Sequence, residues 1–321
     1  MLQFFKKRDF GSFISDTFNF FKVYGKNYFK NYFLLNGIFL LLMLVVLAVG
    51  FGQFFAQLFG SNVSGQSYYF EQYFQENEFM LIITVIGVII LSIAISVIAY
   101  AFPVFYMKLA SETGRNNFKS DELLAELKKN AGKLFKLFLG ITFIVTPIFL
   151  ILFVVSYLLL LILIGFFLLL LLVPTSFNIT YFLMFDYLSR PNRSFFDSLS
   201  YAFRSQFSYQ NANEKSPFWK YWGATCVIFI IYYVLSTIIS IVPFLIIWFS
   251  AFTVPQGGEA NPFNETTAVI LVVTYMISIF VSYVMMNMIA VNSGLMYYDN
   301  RTDIHQELDM QEIDRIGQHE I

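Results

Sequence analysis

The residues best suited to chemistry lie near the end of the chain. His305 and His319 are its only histidines, and Asp303, Glu307 and Asp309 lie close to them. Imidazole and carboxylate groups can bind a metal ion together, but these residues do not follow a recognised ligand spacing. A solvated acidic tail explains them better, and we expect no metal site.

Nucleophilic and phosphate-binding motifs are also missing from the sequence. Serines are plentiful, but no Gly-x-Ser-x-Gly motif is present, and the apolar stretches hold no histidine that could activate a serine. No phosphate-binding glycine loop occurs. We therefore expect no enzymatic activity, no catalytic residues and no cofactor.

Three asparagines are the strongest polar candidates within the long apolar stretches: Asn178, Asn287 and Asn292. Their side chains could line a polar cavity or form hydrogen bonds between helices. The middles of these stretches hold no Asp, Glu, Lys or Arg. Because proton relays and ion-coupled transporters usually use buried ionisable groups, this composition disfavours both classes.

The overall composition indicates a membrane protein. Of the 321 residues, 58% are hydrophobic and only 13% are charged, whereas a soluble domain is about 45–50% apolar and about 25% charged. Several apolar runs exceed the roughly 18 residues that a spanning helix requires. The sequence therefore predicts an all-α fold, a polytopic membrane helical bundle.

Six transmembrane helices account for the apolar runs. Residues 137–185 are too long for one span, so we predict two spans with a tight reversal near Gly165. We expect Pro174 and Asn178 to interrupt the second of these spans. The other spans cover roughly 32–56, 79–106, 221–249 and 268–297. Residues 60–77 and 253–267 are predicted loops without a basic residue.

Three amphipathic segments precede pairs of spans, at 9–29, 120–138 and 194–207. In each, apolar residues recur at steps of three and four. Lys128, Lys129, Lys133 and Lys136 crowd the second segment and are candidate contacts for anionic lipid. Such helices either lie in the membrane interface or pack on the protein's own bundle, and the two arrangements are compatible.

This order suggests a repeated architecture. Each unit would hold one amphipathic interfacial helix and two spans, at about 9–106, 120–187 and 194–297. The predicted organisation is a single transmembrane domain over 1–298, followed by an acidic cytoplasmic tail over 299–321.

The basic residues predict the orientation. With two spans between Lys136 and Arg190, all 20 lysines and arginines fall on one side of the membrane. The positive-inside rule makes that side cytoplasmic. Both termini are therefore expected in the cytoplasm, and the three amphipathic segments would form a collar on the cytoplasmic side.

Four short segments resemble a known set of proteins: Asn178-Ile-Thr-Tyr-Phe-Leu-Met-Phe-Asp186, Ser194-Phe-Phe-Asp-Ser-Leu-Ser-Tyr-Ala-Phe-Arg204, Phe218-Trp-Lys-Tyr-Trp222 and Met296-Tyr-Tyr-Asp-Asn-Arg301. They are similar to bacterial integral membrane proteins that include the membrane domain of glycerophosphoryl diester phosphodiesterases and related uncharacterised families. The resemblance is best over 175–301. It implies this fold in a bacterial cytoplasmic (inner) membrane. The family's phosphodiesterase chemistry belongs to a separate soluble domain, for which we expect no room here.

Two functions remain open at this stage. The first is a non-enzymatic accessory or scaffold subunit, with membrane lipids or another membrane or cytoplasmic protein as partner and no nucleic acid. The second is a carrier of lipid or a small amphiphile through a groove between repeats. A membrane enzyme ranks behind both. A polar cavity reaching Asn178 or Asn287 would favour the carrier, and a large exposed apolar patch on the collar would favour the scaffold.

Overall fold

The computed structural model describes residues 2–60, 67–209, 214–253 and 265–303, and this part of the chain is helical without strands. It contains a π-helical turn at Ile141–Val145 and a 3₁₀ turn at Leu159–Ile162. The α-helices are α1 (Phe10–Gly60), α2 (Ser67–Thr113), α3 (Ser120–Lys129), α4 (Ala131–Gly140), α5 (Thr146–Leu158), α6 (Ile164–Ser189), α7 (Phe195–Phe207), α8 (Phe218–Thr253) and α9 (Glu265–Asn300).

Six helical stretches within the described residues are long and apolar enough to cross a membrane: Phe10–Gly50, Gln75–Thr113, Ala131–Ile162, Ile164–Ser189, Phe218–Val242 and Ile277–Asn300. They confirm the predicted all-α, six-span fold, and the chain is a multi-pass membrane protein. The predicted loop over 60–77 is wrong from Ser67 onward, where α2 has already begun. Parts of both predicted loops, and the tail from 304 with its two histidines, lie outside the described residues.

The three amphipathic segments take different forms. Residues 10–29 of the first segment are the start of α1 and run without a break into the first span. The segment at 120–138 is divided, because α3 ends at Lys129 and α4 begins at Ala131. Between them Asn130 has a φ of −100° and a ψ of 11°, and both its backbone N–H and its side-chain amide donate to the carbonyl of Glu126, at 3.1 and 2.9 Å. The third segment is the separate helix α7.

The predicted reversal within 137–185 is confirmed. The chain turns at Leu163, which has a φ of 61°, and α6 begins at the next residue. Gly165 then lies against the end of α5, where a Cβ atom would overlap the carbonyl oxygen of Ser156. Only glycine fits there without moving the backbone.

Helix α6 is continuous through Pro174 and Asn178, so the expected interruption is wrong. Proline has no N–H to donate to the carbonyl four residues earlier, which here is Leu170. That carbonyl accepts a hydrogen bond from Nε1 of Trp222 at 3.0 Å. The indole thus replaces the missing donor, as membrane segments require when a backbone bond is lost.

The chain divides into two compact units. Unit 1 contains Met1–Tyr32, Tyr100–Ile231 and Asn287–Ile321. In its core, Tyr28 of α1 packs against Phe102 and Tyr106 of α2, with 4.9 Å between ring centroids in both pairs. A Cβ atom at Gly294 of α9 would lie 2.5 Å from the ring of Phe185 in α6. Helices α1, α2, α6 and α9 are therefore closely packed within unit 1.

Unit 2 contains Phe33–Ala99 and Tyr232–Met286. Phe33 of α1 stacks on Phe280 of α9, with ring centroids 5.6 Å apart. A Cβ atom at Gly50 would overlap the side chain of Thr84 in α2. Small residues and ring stacking thus bring these helices together inside unit 2.

Candidate functional site

Basic segments that are far apart in the sequence meet at one end of unit 1, which we call the basic face. Lys220, at the start of α8, donates to the carbonyl of Arg8 at 2.7 Å. Lys7 pairs with Asp303, after α9, at 2.8 Å. Lys133, near the start of α4, donates to the carbonyl of Arg190 at 2.7 Å. Arg301, which follows α9, lies 3.3 Å from Asp186 of α6 and links these contacts, so the N-terminal segment, the end of α6, the start of α8 and the end of α9 lie together.

Among the described residues at this face, two carboxylates are fully buried, and Asp299 is the first of them. Its Oδ2 accepts hydrogen bonds from the hydroxyls of Tyr209 and Tyr221, each at 2.7 Å, and lies 3.1 Å from Nζ of Lys220. Its Oδ1 accepts the backbone N–H of Arg8. One carboxylate thus joins α8, α9, the N-terminal segment and the chain just after α7.

The N-terminal segment is fixed by a second ion pair. The Arg8 side chain is fully buried, and its Nε lies 2.9 Å from Oδ2 of Asp16. The same guanidinium donates to the carbonyls of Gln3, Phe4 and Lys6. Burial lowers the pKa of Arg8, and Asp16 opposes that shift. Arginine is effectively always protonated in proteins, so the group is charged and holds the segment against α1.

Asp186 of α6 is the other fully buried carboxylate. Its Oδ2 accepts a hydrogen bond from Ser198 of α7 at 2.9 Å. Three arginines surround it, with N–O distances of 3.3 Å for Arg301, 3.4 Å for Arg190 and 3.5 Å for Arg193. Three guanidinium groups against one carboxylate leave two positive charges unbalanced at this position.

A polar cavity of about 510 Å³ lies beside this cluster, and every side chain lining it is polar or charged. Tyr201 in its wall donates to Oδ1 of Asn300 at 2.9 Å. Burial raises the pKa of Tyr201 and of Tyr209, so both hydroxyls stay protonated at neutral pH. The lining includes Arg193, Asp197, Ser200, Tyr201, Arg204 and Asn300.

Helix α7 forms much of this wall. Ser194 caps it by accepting the backbone N–H of Asp197 at 3.1 Å, and the Ser194 hydroxyl donates to Oδ2 of Asp197 at 2.7 Å. That hydrogen bond lowers the pKa of Asp197. The inward face of α7 holds the buried Ser198 and Ala202.

The outward face of α7 is aromatic. Phe196, Phe203 and Phe207 are 65%, 37% and 55% exposed, and their spacings of seven and four place them on one side of the helix. Phe207 stacks on Phe218 with ring centroids 5.3 Å apart. Phe218 contacts the exposed Trp219 in turn, so the aromatic surface continues onto the start of α8.

Two of the three predicted asparagines share one hydrogen-bond network. Oδ1 of Asn178 accepts from Thr225 at 2.8 Å and from Ser293 at 3.0 Å. Nδ2 of Asn292 donates to the same Thr225 oxygen at 3.3 Å, and Oδ1 of Asn292 accepts from Thr17 at 3.3 Å. This network links α1, α6, α8 and α9 inside unit 1.

Asn287 lies elsewhere on α9, and its Oδ1 accepts the hydroxyl of Tyr28 at 2.6 Å. The polar cavity beside Asp186 does not include any of the three asparagines in its lining. The contacts of Asn178, Asn287 and Asn292 therefore correspond to hydrogen bonding between helices, which was one of their two predicted roles.

The four predicted lysines have two different environments. Lys128, Lys129 and Lys136 are exposed. Lys133 instead donates to the carbonyls of Tyr187 and Arg190, at 3.3 and 2.7 Å. These carbonyls are at the C-terminal end of α6, where a cation interacts favourably with the helix dipole. Lys133 thus fastens α4 to α6.

Unit 2 contains a separate apolar groove of about 260 Å³. Its walls come from α1, α2 and α9, and include Leu40, Leu44, Leu47, Val88, Ile279 and Phe280. Ser92 and Tyr283 supply its polar groups. A groove of this composition accommodates an apolar chain more readily than a polar solute.

No family model, curated protein or solved structure matches this chain. The resemblance to the membrane domain of the phosphodiesterases therefore stays a prediction. The segments that support it do meet in space, since Asp186, Ser198 and Arg301 belong to three of them. Lys220 and Asp299 belong to the third and fourth segments and form an ion pair.

Asp186 and Asp299 were not among the predicted site residues. Both are acidic residues at the end of an apolar run, on the side where the basic residues gather. A carboxylate in that position needs a cationic partner if it is buried. An acidic residue at the end of an apolar run, on the same side as many basic residues, is therefore the sequence pattern that could have identified both carboxylates.

Proposed function

We propose that this chain is a non-enzymatic protein of the bacterial cytoplasmic membrane, an accessory or scaffold subunit with a cytoplasmic collar. In this proposal both termini are cytoplasmic, because the basic segments precede or follow the predicted spans on one side. The collar contacts lipid headgroups and presents a fixed surface to a partner protein. The outward face of α7 is the observation that supports the proposal best.

Lipid is the occupant that suits this face. A separate amphipathic helix with exposed phenylalanines inserts its apolar side into the headgroup boundary. The stack of Phe207 on Phe218 makes the face continuous with Trp219 at the start of the α8 span. Aromatic residues at the end of a span mark the interface between membrane and water. Helix α7 would therefore lie in the plane of that interface.

The ionisable residues of the basic face support a structural role. Asp186 and Asp299 bind arginine, lysine, serine and tyrosine side chains from several helices. Such networks fix the arrangement of the segments they join. Helix α3 belongs to the same compact unit, and its Lys128 and Lys129 are exposed. This charged outer surface is where a partner protein would bind.

A photo-cross-linker placed in the full chain in living cells tests the collar. We expect lipid adducts from position 203, in place of Phe203, and a discrete protein adduct from position 129, in place of Lys129. Leu161, which is 93% exposed at the α5–α6 turn, is the matched control and should give no protein adduct. If position 129 gives no protein adduct, the proposed scaffold role is contradicted. If position 203 gives no lipid adduct, the proposed location of α7 in the membrane interface is contradicted.

The carrier remains the second candidate because of the groove in unit 2. Its helices α1, α2 and α9 come from the first and the last predicted repeats, as the carrier hypothesis requires. A cross-linker at Leu44, inside the groove, distinguishes the two functions. A lipid adduct there that exchanges with added lipid would favour the carrier, whereas a permanently retained lipid, or none, would favour the scaffold.

A further inference from the structure

The polar cavity beside α7 contains two arginines whose hydrogen-bonding groups are not used by the protein. Within the described residues, the side chains of Arg193 and Arg204 donate no hydrogen bond, and Arg204 forms no ion pair. The nearest carboxylate to Arg193 is Asp186 at 3.5 Å, longer than an ordinary charge-assisted hydrogen bond. Two guanidinium groups thus reach the cavity with donors to spare.

The charge around the cavity favours an anion. Asp186 is shared by Arg190, Arg193 and Arg301, which leaves two positive charges unbalanced. Arg204 adds a third, and the ionised Asp197 cancels one charge. The wall also carries the hydroxyl of Ser200 and other neutral hydrogen-bonding groups. Planar guanidinium groups together with hydroxyls are well suited to the oxygens of a phosphate group.

The position of the cavity indicates where such a phosphate group comes from. Arg204 follows Phe203, so it lies next to the exposed aromatic face of α7. If α7 lies in the membrane interface, the headgroup phosphates of the surrounding lipid are at the height of Arg204. A long arginine side chain reaches from that helix to a headgroup while its stem covers apolar surface.

We propose that this cavity binds the phosphate group of an anionic lipid headgroup through Arg193 and Arg204. The inference rests on the interfacial position of α7 in the proposed function and adds a specific site to it. Free phosphate has the same chemistry and is the alternative source of the ligand. The site differs from the lysines of α3 and α4, since its arginines line a formed cavity.

The test uses the full chain purified in detergent and incubated with phosphatidylglycerol, with phosphatidylcholine or with inorganic phosphate. Native mass spectrometry counts the bound molecules and gives an apparent affinity. We expect phosphatidylglycerol to bind more tightly than phosphatidylcholine. Arg204→Gln should weaken its binding about tenfold, because one charge-assisted contact is lost. R193Q/R204Q should weaken it further.

The matched control is K30Q/K119Q, which removes two exposed positive charges outside the cavity and outside the three amphipathic segments. It changes net charge as much as R193Q/R204Q and should leave phosphatidylglycerol binding within about twofold, because exposed charges at a distance are screened. Equal losses in the two double variants would mean diffuse attraction and would overturn the proposal. Arg204→Gln alone keeps the Asp186 cluster intact, so a loss there is not a folding effect.

The remaining outcomes separate the ligand sources and the two proposals. The protein could bind inorganic phosphate in a manner that depends on Arg204 and yet not bind phosphatidylglycerol. That result would support a phosphate site but contradict the proposal that its ligand is a lipid headgroup. Binding of none of the three ligands would reject the site. If position 203 still forms lipid adducts in cells while Arg204→Gln has no effect on lipid binding, the cavity proposal fails and the collar stands.

Discussion

Replacing Asp299 by alanine is expected to destabilise the protein by about 3–5 kcal/mol, which is the usual cost of removing one partner from a buried ion pair. The substitution leaves Nζ of Lys220, the hydroxyls of Tyr209 and Tyr221, and the N–H of Arg8 without their common acceptor. Because these groups come from separate segments, the whole basic face should loosen. The measurement is the apparent melting temperature of the full chain in detergent.

Asp303→Ala is the control for this prediction. Asp303 pairs with Lys7 at 2.8 Å, but both side chains are partly exposed, and such pairs contribute about 1 kcal/mol or less. The double variant D299A/K220M removes both charges and should regain part of the stability lost in D299A, since no unpaired ammonium remains. Equal melting temperatures for D299A and D303A would show that Asp299 does not hold the face together.

Trp222→Phe is expected to cost about 1–2 kcal/mol, although it removes only one hydrogen-bond donor. Nε1 of Trp222 supplies the bond that Pro174 denies to the carbonyl of Leu170. Without the indole N–H, that carbonyl lies in an apolar span without a partner, and the membrane offers no water to replace it. Phenylalanine preserves most of the aromatic packing, so the loss reports the hydrogen bond.

A double-mutant cycle makes this prediction specific. Pro174→Ala restores an N–H at position 174, which can donate to the carbonyl of Leu170 in the ordinary helical pattern. In that background Trp222→Phe should cost much less than in the wild type. Trp219→Phe, a change at the neighbouring exposed tryptophan, is the control and should have little effect. An equal cost of Trp222→Phe in both backgrounds would mean that the indole acts through packing alone.

Length and periodicity were sufficient to predict the six spans and the reversal near Gly165, because each span is a local property of about 20 residues. The division at Asn130 lies in the backbone of that one residue, whose φ of −100° and ψ of 11° depart from helical values, and the apolar period continues across it without a break. At Pro174, the carbonyl of Leu170 that loses its helical donor is bonded by Trp222, 48 positions later, and local patterns do not report such a contact. Boundaries were therefore predicted less well than the existence of the helices.

The candidate site depended even more on contacts between distant residues. Asn178 and Asn292 could be singled out because a polar amide is unusual in an apolar run, but Thr225, which joins them, has no such signal. Lys133 was predicted, with three other lysines, as a candidate contact for anionic lipid, and its hydrogen bonds to carbonyls at the end of α6 had no signal in the sequence. That role becomes visible only when the end of α6 is located beside α4.

The central claim is that the basic face is cytoplasmic and forms the collar. It is tested most directly by single cysteines at Gly257 and Lys129 in a Cys226→Ala background, reacted with a membrane-impermeant thiol reagent in intact cells. Gly257 lies in a predicted loop on the opposite side, outside the described residues, and Lys129 is exposed on α3 of the collar. We expect the cysteine at 257 to react in intact cells and the cysteine at 129 to react only after the membrane is opened. Reaction at 129 in intact cells would contradict the claim.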